Sequence, residues 1–350
     1  MGLLTINCGS STLKWRFYNS AGETIAGAVV ETDDHAVAAI AAVDAAAELG
    51  EIGAVGHRVV HGGREYDRSV VIDRGVLEAL RALVALAPLH NAPAIAAIEA
   101  LHARLGGSTA MVAVFDTSFH RTMPDHARLY AIDPESAQRH GIERFGFHGL
   151  AHRSMLEGYC ADACVDPTGV RLVTLQLGNG ASAAAIAGGR SVDTSMGLTP
   201  LGGLVMGTRA GDVDPTLASF IAQEEGVSVE AALETLTRRS GLLGVSGVSA
   251  DMRLVLESAA AGDRRSILAI EMFCYRTTKY VGAYLAALGG ADAIVFGGGI
   301  GENCAVIRDT IMAPLRWTGV PSHVVAVDEE AIIAGDTRRV LGFGPDRDAL

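Results

Sequence analysis

The sequence predicts an α/β protein of two lobes. Three observations predict it: 350 residues exceed what one hydrophobic core usually serves, glycine-bearing turns follow short apolar runs three times, and a strand, glycine turn, strand unit at the N-terminus recurs near residue 173. The recurrence is one of pattern, without residue-by-residue identity, so a single elaborated α/β domain is the alternative.

The apolar runs Leu3 to Ile6 and Trp15 to Tyr18 flank Asn7 to Lys14, NCGSSTLK, and read as strands 2–7 and 13–18 joined by a tight turn. The N–H groups and hydroxyls of such a turn can surround an anion, although an ordinary polar hairpin shares its grammar. Strands are expected at 24–31 and 53–60, interrupted by an alanine-rich helix from Ala36 to Leu49, with helices following at about 75–86 and 91–105. The run Ala110 to Phe115 is a short buried strand that delivers Asp116 at its C-terminal end, where α/β folds place ligand groups. After a helix from His148 to Ala163 the opening grammar returns as Val173 to Leu177, the turn Gly178 to Ser182, Ala183 to Ala187 and Ser191 to Thr194. Helices near 215–224, 229–238 and 264–288 follow, then the strand Ala293 to Phe296 entering Gly297, Gly298 and Gly299, and a last helix from Glu329.

Hydrophobic residues make up 49% of the chain and mean hydropathy is +0.29, yet no uninterrupted apolar stretch approaches the ~20 residues of a bilayer span. The start lacks a basic segment followed by a long apolar one, and a soluble cytoplasmic protein is expected. A formal charge of −12 argues against a general nucleic-acid surface, so a phosphate ligand must be met locally. Five scattered cysteines, Cys8, Cys160, Cys164, Cys274 and Cys304, suit reduced thiols better than a disulfide framework.

Three glycine turns, NCGSSTLK, LGNGAS and FGGGIGEN, each at a strand end, point to a polyphosphate ligand. No GxxxxGK[ST] occurs, and FGGGIGEN lacks the GxGxxG spacing, which disfavours P-loop and Rossmann readings. Arg58 in GHRVVHGG and Arg209 in MGTRAGDVDP lie in glycine-rich segments expected to be loops, and a guanidinium matches a phosphoryl group spreading charge over its oxygens; a surface salt bridge is the plain alternative. Asn7, Asp116 and Glu329 are oxygen donors of the type Mg²⁺ takes, although Glu329 at a helix start is also explained by capping. The pairs His57 with His61 and His148 with His152 lack the Glu of HExxH, which disfavours zinc.

With these segments assembled, the chain resembles the acetate kinase family, within the group that includes sugar kinases, Hsp70 and actin. The resemblance runs in order through NCGSSTLK, GHRVVHGG, LAPLHNAP, FDTSFH, FGFHGLAH, LGNGAS, DTSMGLTPLGGLVMGTRAGDVDP, GLLGVSGVSADMR and FGGGIGEN. It implies two ribonuclease H-like (actin-like ATPase) lobes with a duplicated βββαβαβα core and a cleft between them, residues 1–120 with 331–350 forming one and 121–330 the other.

The resemblance also implies ATP-dependent phosphorylation of acetate with Mg²⁺ or Mn²⁺, ADP and acetyl phosphate as products, and a homodimer that binds neither nucleic acid nor membrane. Asn7 and Glu329 match metal-site residues; Ser10, Ser11, Thr12 and Lys14 match a phosphate hairpin; Asn179 and Gly180 match a phosphate loop. Arg58 and Arg209 match the pair holding the acyl carboxylate and the phosphoryl group, with Asp116 and His148 as supporting active-site groups. Asp251, Met252 and Arg253, with Gly299, Ile300 and Asn303, match an adenosine pocket, and Val60, Leu89, Phe147 and Pro200 match a small apolar pocket for the acyl methyl. Propionate as acceptor, pyrophosphate as donor, or a nucleotide-driven switch without an acceptor are the competing expectations. Three departures from the family pattern stand out. Gln176 replaces a usual His, Gly202 a usual Glu, and the chain is shortened before Arg58 and again before Glu329.

Overall fold

The structure, a computed structural model, describes residues 2–9, 11–86, 88–107 and 109–343, with the side chains of 85–90 outside the description. The chain divides into two compact units, one formed by Met1–Arg121, Phe147–Ser154 and Asp328–Leu350, the other by Thr122–Gly146 and Met155–Val327. Residues 147–154 and 328–330 therefore pack with the first unit, where the sequence reading had assigned them to the second.

The first unit holds a six-stranded sheet. Its strands are β1 (Gly2–Cys8), β2 (Thr12–Tyr18), β3 (Thr24–Glu31), β4 (Ile52–Val59), β5 (Val70–Val71) and β6 (Ala110–Phe115), in the order β3-β2-β1-β4-β6-β5. The β1-β2-β3 meander is antiparallel, whereas β1, β4 and β6 run parallel. Strands buried on both faces read as continuous apolar runs, and side-chain alternation sorts them. Leu4, Ile6, Val55, Val59, Met111 and Phe115 pack in the core that also holds residues of the helices His35–Ala47 and Pro88–Leu105, while Val112 and Val114 pack on Ile332 and Ile333 of the C-terminal helix Glu329–Leu341. Gly56 marks the closest approach on that second face, because a Cβ there would overlap Thr337 and Ile333.

The second unit repeats the plan with β7 (Arg171–Leu177), β8 (Ala181–Ala187), β9 (Arg190–Thr194), β10 (Ala293–Gly297) and β11 (Ser322–Val324), ordered β11-β10-β7-β8-β9. Here too an antiparallel meander is followed by parallel strands. Read from the meander outward, 3-2-1-4-6 and 9-8-7-10-11 are the same topology, so the pattern repeat is a structural duplication. Gly188 and Gly189, at φ of 60° and 77°, form the two-residue turn from β8 to β9, which demands φ > 0 at both positions. The helix Arg264–Leu288 starts at an Asp263 cap and stops at Gly289 in the left-handed region, with φ of 64°.

Candidate active site

The two opening hairpins close alike. Gly9 N–H donates to Thr12 O at 2.8 Å, and Gly178 N–H donates to Gly180 O at 3.1 Å. Ser11 is exposed and Thr12 half-buried, whereas Ser10 lies outside the described residues. Asn7 and Lys14 are cross-strand partners, so the exposed Lys14 shares a sheet face with Asn7.

Asn7, Arg58, Asp116 and Glu329 come together in the first unit although Asn7 and Glu329 are 322 residues apart in sequence. The cause is topological: β1, β4 and β6 are parallel, and Asn7, Arg58 and Asp116 lie at or just past their C-terminal ends. Arg58 Nη2 donates to Asp116 Oδ2 at 2.6 Å and its Nη1 to Asn7 Oδ1 at 3.0 Å, with Glu329 Oε2 at 3.6 Å from Nη1. Asn7 Nδ2 in turn donates to Glu329 Oε2 at 2.8 Å and Glu330 Oε1 at 2.9 Å. Burial works against the Arg58 cation, but the carboxylates of Asp116 and then Glu329 outweigh it and hold the guanidinium above its usual range. The expectation that Arg58 sits in a loop is corrected, since it is inside β4, where the strand backbone aims it along the sheet face.

The capping explanation of Glu329 is also displaced: Asp328 caps the C-terminal helix by accepting from Ala331 N–H, which leaves Glu329 and Glu330 to face Asn7. Glu330 was missed in the sequence, as was Arg16, which donates to Asp328 at 2.6 Å. Only the three-dimensional docking of that helix reveals either.

Around this cluster, Asn91 and His61 lock the chain after Arg58. His61 N–H donates to Asn91 Oδ1, and Asn91 Nδ2 donates back to His61 O, each at 3.0 Å. Phe147 packs edge-on against the His61 ring at 5.6 Å, and Val60 is buried, while the Leu89 side chain lies outside the described residues. His148 follows Phe147 with φ of 57°, a left-handed conformation that non-glycine residues seldom adopt and that marks a constrained position. Next to it a Cβ on Gly149 would overlap the Asp116 carbonyl, so only glycine lets this segment reach Asp116.

In the second unit, Arg209 is a half-buried guanidinium without an ion-pair partner among the described residues. Its Nη1 donates to Pro200 O at 3.0 Å and lies 3.6 Å from Met206 Sδ, and burial lowers its pKa. Pro200 and Arg209, two residues expected at the substrate, are thus neighbours. Gln176, at the end of β7, has a buried Oε1 with no hydrogen-bond partner among the described residues. Asn179 is exposed in its turn and accepts from Gly207 N–H at 2.9 Å, beside Gly180.

FGGGIGEN is not the open turn that was expected: Gly298–Asn303 is helical directly after β10, and Glu302 Oε1 accepts from Gly298 N–H at 3.0 Å. Gly299 and Ile300 lie in its first turn, and Asn303 Nδ2 donates back to Gly299 O at 3.0 Å. Asp251 caps the helix Met252–Ala260, and the exposed Arg253 pairs with it at 2.6 Å.

Among the described residues no three His, Cys, Asp or Glu side chains form a metal-binding group, so a divalent cation at the oxygen donors of the first unit would have to keep most of its waters. Asn7, Asp116, Glu329 and Glu330 bring oxygens to the cluster, and Asp116 Oδ1 is fully buried with no hydrogen-bond partner among the described residues. Asp116, Asp328, Glu329 and Glu330 set four carboxylates against the guanidiniums of Arg16 and Arg58. Few protein oxygens and an excess of negative charge are what Mg²⁺ takes when it keeps most of its waters.

A phosphoryl-transfer enzyme is the class that such anion turns, guanidiniums and oxygen donors suit. The acetokinase family model matches residues 31–340. Acetate kinase of Chloroherpeton thalassium is 43% identical over 97% of this chain and 99% of its own, and that of Natranaerobius thermophilus 44% over 98% and 100%. Among solved structures, Porphyromonas gingivalis acetate kinase matches with a TM-score of 0.88 at 36% identity, covering 97% of this chain and 99% of that one. A propionate kinase from Francisella tularensis matches with a TM-score of 0.90, at the same identity and coverage. The chain belongs to the acetokinase family, and it is a kinase of the two-lobed α/β fold shared by that family.

Proposed function

We propose that the protein catalyses reversible, magnesium-dependent transfer of the γ-phosphoryl group between ATP and acetate, giving acetyl phosphate and ADP. The observation that carries this reading is Arg209: a half-buried guanidinium whose hydrogen-bond partners among the described residues are a carbonyl and a thioether, and which carries no counter-charge there, needs an anion to complete it. An acyl carboxylate or a phosphoryl oxygen supplies one.

The residues divide the work. Arg58 and Arg209 hold the carboxylate and neutralise the transferring phosphoryl group, while Asp116 fixes Arg58 through two hydrogen bonds. His148, next to the glycine that packs on the Asp116 carbonyl, is a further donor in this reading. The acceptor is already ionised at neutral pH, so catalysis reduces to positioning and charge stabilisation, with no covalent enzyme intermediate. A bound Mg²⁺ would neutralise phosphate oxygens, and Asn7 and Glu329, with Asp116 beside them, would hold it. Ser10 to Thr12, Lys14, Asn179 and Gly180 serve the phosphates; Asp251 to Arg253, Gly299, Ile300 and Asn303 serve the adenosine; Val60, Leu89, Phe147 and Pro200 enclose the methyl group.

Propionate is the second acceptor, favoured by the likeness to a propionate kinase, because one methylene alters pocket binding by only ~1–3 kcal/mol. Self-association belongs to the same reading, supported by Leu268, Met272 and Tyr275, which line an exposed apolar stripe on the helix Arg264–Leu288. No helix among the described residues is long and apolar enough to cross a membrane, which suits a cytoplasmic site for the reaction.

Hydroxamate trapping of acyl phosphate tests the reading, with ATP or pyrophosphate against acetate, propionate and butyrate, with and without Mg²⁺. Product from ATP and acetate only with Mg²⁺ is expected; no product in any combination would overturn it. Arg209→Ala should lower turnover by about 10³-fold or more, by analogy with arginine fingers.

A further inference from the structure

The ten residues from Gly203 to Asp212 form a loop whose ends are held together by one side chain. Asp212 Oδ1 accepts from Gly203 N–H at 2.7 Å, and Asp212 N–H donates back to Gly203 O at 3.0 Å. Its other oxygen, Oδ2, accepts from the Tyr280 hydroxyl at 2.5 Å and lies 3.6 Å from Arg276 Nη1, which also donates to Asp212 O at 3.1 Å. Tyr280 and Arg276 come from the 25-residue helix Arg264–Leu288, and the Tyr280 ring packs edge-on against Tyr284 at 5.7 Å.

The loop base is close-packed and conformationally restricted. Gly203 and Gly211 have φ of 96° and 74°, and a Cβ on Gly211 would overlap the Leu204 carbonyl. Such a base cannot relax into a second arrangement without breaking the Asp212 bonds. Within the loop, Met206 N–H donates to Arg209 O at 3.1 Å, tying the Arg209 backbone to the strapped segment. Burial, then the neighbouring Asp212 carboxylate, hold the Tyr280 phenol above its usual range, so it remains a donor across working pH.

We propose that Asp212, strapped to the helix by Tyr280 and Arg276, is a positioning residue that sets the height and direction of the Arg209 guanidinium. This rests on the reading of Arg209 as the anion-binding group. Neither Asp212 nor Tyr280 needs to touch substrate. Displacing a positioned group by ~1 Å can cost ~10²-fold in rate, which makes a rigid anchor for Arg209 worth having.

The test is a double-mutant cycle on the full chain, with kcat and KM for acetate and for ATP measured separately. Asp212→Asn, which keeps the shape but removes the charge facing Arg276 and the acceptor for the Tyr280 hydroxyl proton, should lower kcat/KM for acetate about 10- to 100-fold and leave KM for ATP within about twofold. Tyr280→Phe, which keeps the ring packing on Tyr284, should lower it by a smaller factor in the same parameter. In the Arg209→Ala background, Asp212→Asn should have no further effect on the residual rate. Wild-type kcat/KM in both single variants would overturn the proposal, as would full additivity in the double variant. If Arg209→Ala itself kept normal turnover, the proposed function would fall instead, so the two failures are distinguishable.

Discussion

His57 should make the first unit labile to acid. It lies on β4 between Gly56 and Arg58, and alternation turns it to the face shared by Val55 and Val59, in the main hydrophobic core. Neither ring nitrogen has a hydrogen-bond partner among the described residues, and burial pushes its pKa down to about 3 from the ordinary 6.5. The unfolded chain therefore binds a proton that the folded chain refuses between these two values. Stability is full above the unfolded pKa and falls as pH drops from about 6.5 toward about 3. The linkage gives a loss of about 2 kcal/mol by about pH 5 and about 5 kcal/mol when fully developed. Against a typical total of about 5–15 kcal/mol that is a large share.

The perturbation is His57→Leu, read by urea unfolding near pH 7.5 and near pH 5 in a Trp317→Phe background, so that Trp15 alone reports on the first unit. Wild type should lose about 2 kcal/mol more than the variant between these conditions, and the variant should be the more stable at both. Equal losses in the two proteins would refute the reasoning.

Gly149→Ala should cost about 1–3 kcal/mol and lower turnover, because the added methyl pushes on the Asp116 carbonyl; thermal unfolding and steady-state rates check it. Asp116→Asn should reduce kcat by about 10²-fold or more and weaken Mg²⁺ dependence, since Arg58 loses its main charge partner. Gln176→His should give the pH–rate profile a new step near about pH 6.5, absent from wild type, by placing a titrating ring where a neutral amide now stands. Thiol labelling of the native protein should modify the exposed Cys164 first and leave Cys8 and Cys274 untouched, as burial raises both of the latter to about 12; their rapid reaction without unfolding would contradict the structure.

The central β-strands were legible because they are covered on both faces, which writes them as apolar runs such as Ala110 to Phe115, whereas the edge strand Thr24–Glu31 is exposed. The duplication was legible as grammar at NCGSSTLK and LGNGAS, where turn chemistry repeats although residue identity does not. The site was legible where glycines and cations coincide, as at Arg209. It was illegible where a residue acts through a partner distant in sequence. Glu330, Arg16 and Asp212 are ordinary charged residues until the C-terminal helix or the helix Arg264–Leu288 docks against them. Short helices such as Pro134–His140 were missed because a seven-residue segment carries too little periodicity to register. The Gly298–Asn303 helix was read as a turn because its glycines conceal the local cap supplied by Glu302.

The return of the chain's end to its first sheet has a consequence for biosynthesis. The second unit is complete once Val327 has been made, but the first waits for residues 328–343. Until then Val112 and Val114 lack the cover of Ile332 and Ile333, and Ala54 lacks that of Ala334. A nascent chain halted near residue 327 should thus carry a protease-resistant second unit and a protease-sensitive first one. The carboxylates Glu329 and Glu330 are translated after nearly every other residue of the cluster they complete. Arg58 and Asn7 cannot be paired with them on a half-made protein, so the acidic cluster closes only when the chain is nearly finished.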